Sequence, residues 1–258
     1  MLNTLQSIFL VVAIVSSSLA FLVLVHRYWP PEQRRQHNDL IGWQITVLGT
    51  TYAVVLGFML YAVWTNFELA DGNAEAEANC LVNVVRSAQG LAAADKQAIE
   101  DLAGQYVNIM LTKEWPDMSR VTVSPASDRC IQKLWAVVTR VQAHSSSEQI
   151  SLDHAYTELS KMTEHRRLRQ LQVNAGLPGI LWAVLAVGAI VTIVSACLFG
   201  GADLKLHFVQ VTVLSLLLSL VLVTIADIDH PFQGAVHVTP AGFERARVTL
   251  TESLFRRP

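Results

Sequence analysis

The chain has 258 residues, of which 52% are hydrophobic and only 16% charged, and its formal net charge is −2. Soluble domains carry about 25% charged residues, so lipid rather than water is the expected solvent for much of this chain. The near-neutral balance excludes the basic footprint that nucleic-acid binding requires.

Residues 1–25 carry no charged side chain and are long enough to span a bilayer. A signal peptide is the competing reading, with Ser18, Leu19 and Ala20 as a cleavage-like triplet; it needs a positively charged start, which residues 1–7 lack. The first membrane helix is therefore placed here. A polar connection follows over residues 26–39. Tyr28 and Trp29 suit the interface, Pro30 and Pro31 end the helix, and Asn38 or Asp39 is expected to cap the next one.

No charged residue falls between Asp39 and Glu68. That stretch is about 28 residues, or roughly 42 Å of helix, more than a bilayer core needs. The helical period then runs on, now acidic and amphipathic, which predicts one long helix leaving the membrane to start a water-exposed domain. Gly49, Ala53 and Gly57 form a ribbon of small residues that permits close helix packing in lipid.

From Glu68 to Arg169 the chain is polar and helical, with breaks expected near Gly90, at Glu114–Trp115–Pro116, at Ser124–Pro125 and at Ser145–Ser147. Three further helices are predicted, over residues 93–112, 127–143 and 148–173. Their apolar stripes (Ile99, Leu102, Tyr106, Ile109 and Met110; Ile131, Leu134, Trp135, Val138 and Val141; Leu152, Ala155, Leu159, Met162 and Leu171) are read as core-facing. A basic run follows at residues 165–170. It reads as a snorkelling anchor on headgroups or, more sharply, as an anion-attracting vestibule built from Arg166, Arg167 and Arg169.

A third span begins near Pro178, which a first helical turn tolerates, and carries a second small-residue ribbon, Gly188, Thr192, Ala196 and Gly200, able to face the Gly49 ribbon. A turn at Gly200, Gly201 and Asp203 leads to a fourth span over residues 207–226, with Ser215 and Ser219 on one face. In the tail, Thr239 and Pro240 open a short helix, and Val236, Val238, Phe243 and Leu250 are suited to dock on the polar domain.

The predicted fold is thus an all-α membrane protein: four transmembrane helices, with a helical extramembrane domain inserted between the second and third. The units are residues 1–67 (helices 1 and 2), 68–173 (helical domain), 174–227 (helices 3 and 4) and 228–258 (the docking tail). The N-terminus, domain and tail fall on one side. Basic residues near the membrane almost balance: Arg27, Arg34, Arg35 and Lys205 on one side, Lys161, Arg166, Arg167 and Arg169 on the other. The first helix alone would put the domain outside.

Catalytic constellations are missing from the sequence: there is no G-x-S-x-G, no Gly-rich phosphate loop and no HExxH. His154 and His165, eleven apart on a helix, do not share a metal. Glu75 and Glu77 read as a solvated face, Asp153 and His154 as a surface pair, and Asp227, Asp229 and His230 as a capping or interface group. Cys80, Cys130 and Cys197 fit neither a zinc site nor a disulfide framework and are expected as buried thiols; a Cys80–Cys130 bridge would need an oxidising compartment. No enzyme activity, cofactor or metal is expected. Uncharged spans disfavour a proton-coupled carrier. They suit a pore with an apolar constriction, or equally helices that only anchor the domain.

The segment NDLIGWQITVLGTTYAVVLGF leading to EAEAN, then KEWPDM, EHRRLR, GLPGILW and DHPFQGAVHVTP, in that order, resembles the bestrophin-like bacterial integral-membrane family, over nearly the whole chain. More distantly it resembles bestrophin anion channels. That resemblance implies a homo-oligomer, a pentamer, passing small anions such as chloride through an axial pore lined by the second membrane helix. It further implies a multi-pass protein of the bacterial inner membrane with a cytosolic helical domain. Residues 48–61 are the neck it points to, and Val55, Phe58, Met59 and Ala62 are the pore-lining candidates. The alternative is a non-conducting scaffold or sensor whose domain binds a partner. Pro231–Phe232 lacks the acidic cluster that follows it in calcium-binding bestrophins; the next carboxylate is Glu244. The resemblance therefore carries no calcium regulation with it.

Overall fold

The structure is a computed structural model that describes residues 4–122, 124–201 and 203–255. Among the described residues every regular element is helical: α1 (Thr4–Tyr28), α2 (Pro31–Arg34), α3 (Asn38–Ala88), α4 (Ala93–Ile109), α5 (Trp115–Met118), α6 (Pro125–Arg140), α7 (Ser146–Val173), α8 (Gly179–Leu198), α9 (Leu204–Ile228) and α10 (Ala241–Phe255). Four helices are long and apolar enough to cross a membrane: α1, α3, α8 and α9. The chain divides into two compact units, residues 1–65 with 176–229, and residues 66–175 with 230–258.

In the first unit α1 packs on both α8 and α9, and α8 packs on α9. Helix α1 ends at Tyr28, and Pro31 opens α2 at a position where no N–H is needed. A 3₁₀ turn at Arg35–His37 then runs directly into α3, so Asn38 already has helical dihedrals. Asn38 is therefore not an N-cap. Its side chain bonds the Gly200 N–H (2.8 Å) and C=O (3.2 Å) at the α8–α9 turn instead. Helix α9 is capped by Asp203, which accepts from the N–H groups of Lys205 and Leu206. Asp229 accepts the Leu177 N–H at 2.7 Å and the Trp182 indole N–H at 3.4 Å, the capping role expected for it. Ser215 and Ser219 are both buried and return their hydroxyls to backbone carbonyls of their own helix.

The second unit is built around a helical hydrophobic core. Leu81, Val84, Val85, Ile99, Tyr106, Met110, Leu134, Leu159 and Met162 are buried together, and Phe243, Ala246 and Leu250 of α10 join them. Each such side chain contributes about 1.5–3 kcal/mol by burial. Leu171, read as core-facing, is 61% exposed, while Val173 two positions on takes a buried place. The break expected at Glu114–Trp115–Pro116 is instead a wider π turn over Met110–Glu114 that passes into α5. Pro116 follows directly on this π turn, near the start of α5. The chain leaves α5 through Val121, whose φ of 59° is left-handed.

Candidate functional site

The membrane half of α3 touches its own unit along one stripe. Ile41, Tyr52, Leu56 and Val63 are buried, and they recur at helical spacing on a single face. Tyr52 is the anchor: its hydroxyl donates to the Leu185 carbonyl at 2.7 Å, and its ring lies on Gly188. A Cβ on Gly188 would stand 2.3 Å from the Tyr52 ring, so glycine is required by this close approach. Gln44 adds a bond to Ser195 at 3.4 Å.

Away from that stripe the helix is uncovered and apolar. Val54, Phe58 and Tyr61, 53%, 65% and 69% exposed, lie roughly opposite the seam on a 3.6-residue helix. Val55 and Ala62 lie on one flank beside Phe58, with Met59 nearer the seam. Gly49, Ala53 and Gly57 lie on the other flank, where they line an apolar cavity of about 390 Å³ with Thr192, Leu214 and Leu218. The two small-residue ribbons therefore do not mesh glycine against glycine. Tyr52 takes the surface of Gly188, and a Cβ at Gly49 or Gly57 would meet nothing within 4 Å. Over this charge-free length about half of the circumference of the helix is thus bare and apolar.

The basic run is placed differently from the expectation. Arg169 is fully buried. It donates from Nε to Glu77 at 2.7 Å, from Nη2 to Glu77 at 3.3 Å and to Glu114 at 3.1 Å, and from Nη1 to the Met118 sulfur at 2.7 Å. Arg166 is 7% exposed and reaches Asp128 at 2.8 Å and the Ser127 hydroxyl at 2.7 Å. Ser127 in turn donates to Glu114. Only Arg167 faces solvent, paired with Glu164 on its own helix at 2.7 Å. A vestibule of three free guanidinium groups is thus not what these residues form in this chain. Two of the three neutralise carboxylates that the helical core buries, because a buried charge must be paired.

Glu77, read as part of a solvated face, is fully buried; its neighbour Glu75 stays outside, ion-paired with Arg245. Tyr106 donates its hydroxyl to Glu77. Burial pushes the Tyr106 phenol well above its ordinary range, and the Glu77 charge adds to this. Burial, the largest single influence, would lower Arg169, but Glu77, Tyr106 and Glu114 together outweigh it and its pKa is raised. Trp115 completes the site, with the Arg169 guanidinium 5.9 Å from its ring centroid and Phe232 and Phe243 edge-on to it. Its partners come from residues 77, 106, 114, 127 and 169, so no local motif announces it.

Among the described residues no group of three or more His, Cys, Asp or Glu is placed to hold a metal. Cys80, Cys130 and Cys197 are free and buried.

A bestrophin-like domain model matches residues 12–243 of the chain. Among solved structures, a bacterial bestrophin homolog from Klebsiella pneumoniae aligns with a TM-score of 0.70 at 13% identity, over 97% of this chain and 99% of that one. A variant of the same homolog gives 0.71 at 13% identity, over 96% and 99%, and a structure described as a membrane protein gives 0.66 at 14% identity, over 97% and 99%. These likenesses extend to the fold. Comparison with curated proteins gives no match.

Proposed function

The chain belongs to the bestrophin-like family, and from that premise we propose that it is a homo-oligomeric ion channel for small anions, with an axial pore lined by the membrane half of α3. One observation carries the reading: this helix is charge-free and anchored along a single stripe, while Phe58, Val54 and Tyr61 are left bare. Bare apolar surface needs no explanation in lipid, but a pore of uncharged helices needs several subunits, each lending one helix to the axis. In that arrangement Val55, Phe58, Met59 and Ala62 form the narrow part, and conduction is gated by wetting of an apolar neck. The small-residue flank at Gly49, Ala53 and Gly57 lets the neighbouring helix approach. The protein works as a channel rather than an enzyme, in the bacterial inner membrane, with the helical unit on the cytosolic side.

The test is chloride efflux from liposomes holding the purified protein. Efflux should appear with wild type and rise when Phe58 is replaced by Ala, which widens an apolar constriction. No efflux from correctly assembled protein would leave the scaffold reading in its place.

A further inference from the structure

The loop end of the membrane unit holds a second, unrelated cluster of cationic side chains. Arg34 of α2 is fully buried, His207 of α9 is 3% exposed, and His26 of α1 is half-buried beside it, with the two imidazole centroids 5.3 Å apart. Arg34 and His26 are both near enough to act electrostatically on His207. None of the three has a carboxylate partner in an ion pair among the described residues. The Cys197 thiol, buried and free, and Glu32, exposed on the same turn, act electrostatically on Arg34, and Asp203 is exposed and used as the α9 cap. Lys205 and Arg35, also exposed, only add positive charge.

What compensation there is comes from the C-terminal carbonyls of α8. Arg34 Nη1 donates to the Cys197 carbonyl at 2.7 Å and the Phe199 carbonyl at 3.3 Å, and His207 Nε2 donates to the Ala196 carbonyl at 3.0 Å. These bonds fix the chemistry of the atoms left over. A carbonyl only accepts, so His207 carries its proton on Nε2 and presents a bare Nδ1. By the same argument His26, whose Nδ1 donates to the Leu22 carbonyl at 3.0 Å, presents a bare Nε2. Those two nitrogens and the Arg34 Nε and Nη2 are buried without a hydrogen-bond partner among the described residues. A buried polar atom without a partner is costly, so these atoms favour taking up a polar ligand. Room exists beside one of them: a Cβ on Gly201 would meet only ordinary contacts, with His207 Nδ1 at 3.6 Å.

We propose that His26, Arg34 and His207 form a binding site for a small monovalent anion, occupied together with protonation of the histidines. In the neutral state the cluster offers two guanidinium donors and two imidazole acceptors, a poor match for an anion. Protonation turns both bare nitrogens into donors, so that four buried nitrogens without partners, two on Arg34 and one on each histidine, can all donate, with up to three positive charges beside them. The site stands on the α8–α9 turn and does not depend on the pore reading.

The test is the thermal unfolding midpoint of the full-length protein in lipid-free detergent, titrated with chloride against gluconate at constant ionic strength, at pH 5.5 and pH 7.5. A ligand that binds the folded state raises the midpoint, and each proton taken up with it is worth up to about tenfold in apparent affinity per pH unit. The half-effective chloride concentration should therefore be about tenfold or more lower at pH 5.5. His207→Gln, which keeps an amide donor for Ala196 but cannot protonate, should remove most of that difference, and His26→Gln with His207→Gln all of it. Equal chloride sensitivity at the two pH values in wild type overturns the proposal, as does an unchanged difference in the variants. So does a midpoint shift seen only when phosphatidylglycerol is added, which assigns the site to a lipid headgroup.

Discussion

Replacing Arg169 by Met gives the sharpest reading of the helical unit. The guanidinium is fully buried and holds Glu77 through two bonds, at 2.7 and 3.3 Å, and Glu114 through one at 3.1 Å. Methionine keeps much of the side-chain volume, so packing changes little. What remains is two fully buried carboxylates without their shared cation. Among the described residues Glu114 keeps the Arg166 guanidinium, 3.7 Å away, and the Ser127 hydroxyl; Glu77 keeps the Tyr106 hydroxyl. Removing one partner of a buried pair costs about 3–5 kcal/mol, a large fraction of a typical 5–15 kcal/mol stability. The sign of the pH dependence follows. In the variant an isolated buried carboxylate binds a proton more readily folded than unfolded, so the folded state gains relative stability as pH falls. Urea unfolding of the full-length protein in detergent, followed by tryptophan fluorescence, should show a deficit of about 3–5 kcal/mol at pH 8 that shrinks toward pH 5. Arg169→Lys, which keeps the charge but loses the fork, should fall between. A deficit under about 1 kcal/mol, or one that grows as pH falls, would refute the assignment of Arg169 as the cation that these carboxylates require.

Two further outcomes follow from the same geometry. Gly188→Ala places a methyl group against the Tyr52 ring, which the Leu185 bond holds in place; thermal unfolding in detergent should show a loss of about 1–3 kcal/mol, and almost none of it in a Tyr52→Ala background. The raised pKa of Tyr106 makes its contribution to stability complete below about pH 10, the phenol's value in an unfolded chain, and lost as pH climbs toward the folded value. Tyr106→Phe should flatten that alkaline limb in a urea-denaturation series from pH 8 to pH 11; an unchanged limb would show that the phenol does not cause it.

The spans were legible because their signal is local. An uncharged run of bilayer length, the doubled proline after α1 and the glycine–glycine turn before α9 each act within a few residues, and the helices follow them closely. The stripes of α4 and α6 located the core of the second unit for the same reason, since a 3.6-residue period is set by one helix alone. The charged core was not legible. Glu77 and Arg169 are 92 residues apart, and each looks like an ordinary surface residue on a polar helix. Only the packing of α3 against α7 shows that the basic run is half spent on internal neutralisation. Asn38 misled in a similar way: its residue type suits a cap, but the preceding turns are already helical, so its amide is free for Gly200. The Arg34 cluster was hidden likewise, its three members coming from α1, α2 and α9.

Recording from the purified protein in planar bilayers under a chloride gradient tests the channel reading most directly. An axial anion pore gives discrete unitary currents that reverse near the chloride equilibrium potential. A thiol reagent should block them when a cysteine replaces Phe58, with the buried native thiols leaving wild type unaffected. Silent bilayers from assembled protein, currents that reverse near the cation potential, or a Phe58→Cys channel indifferent to the reagent would contradict it.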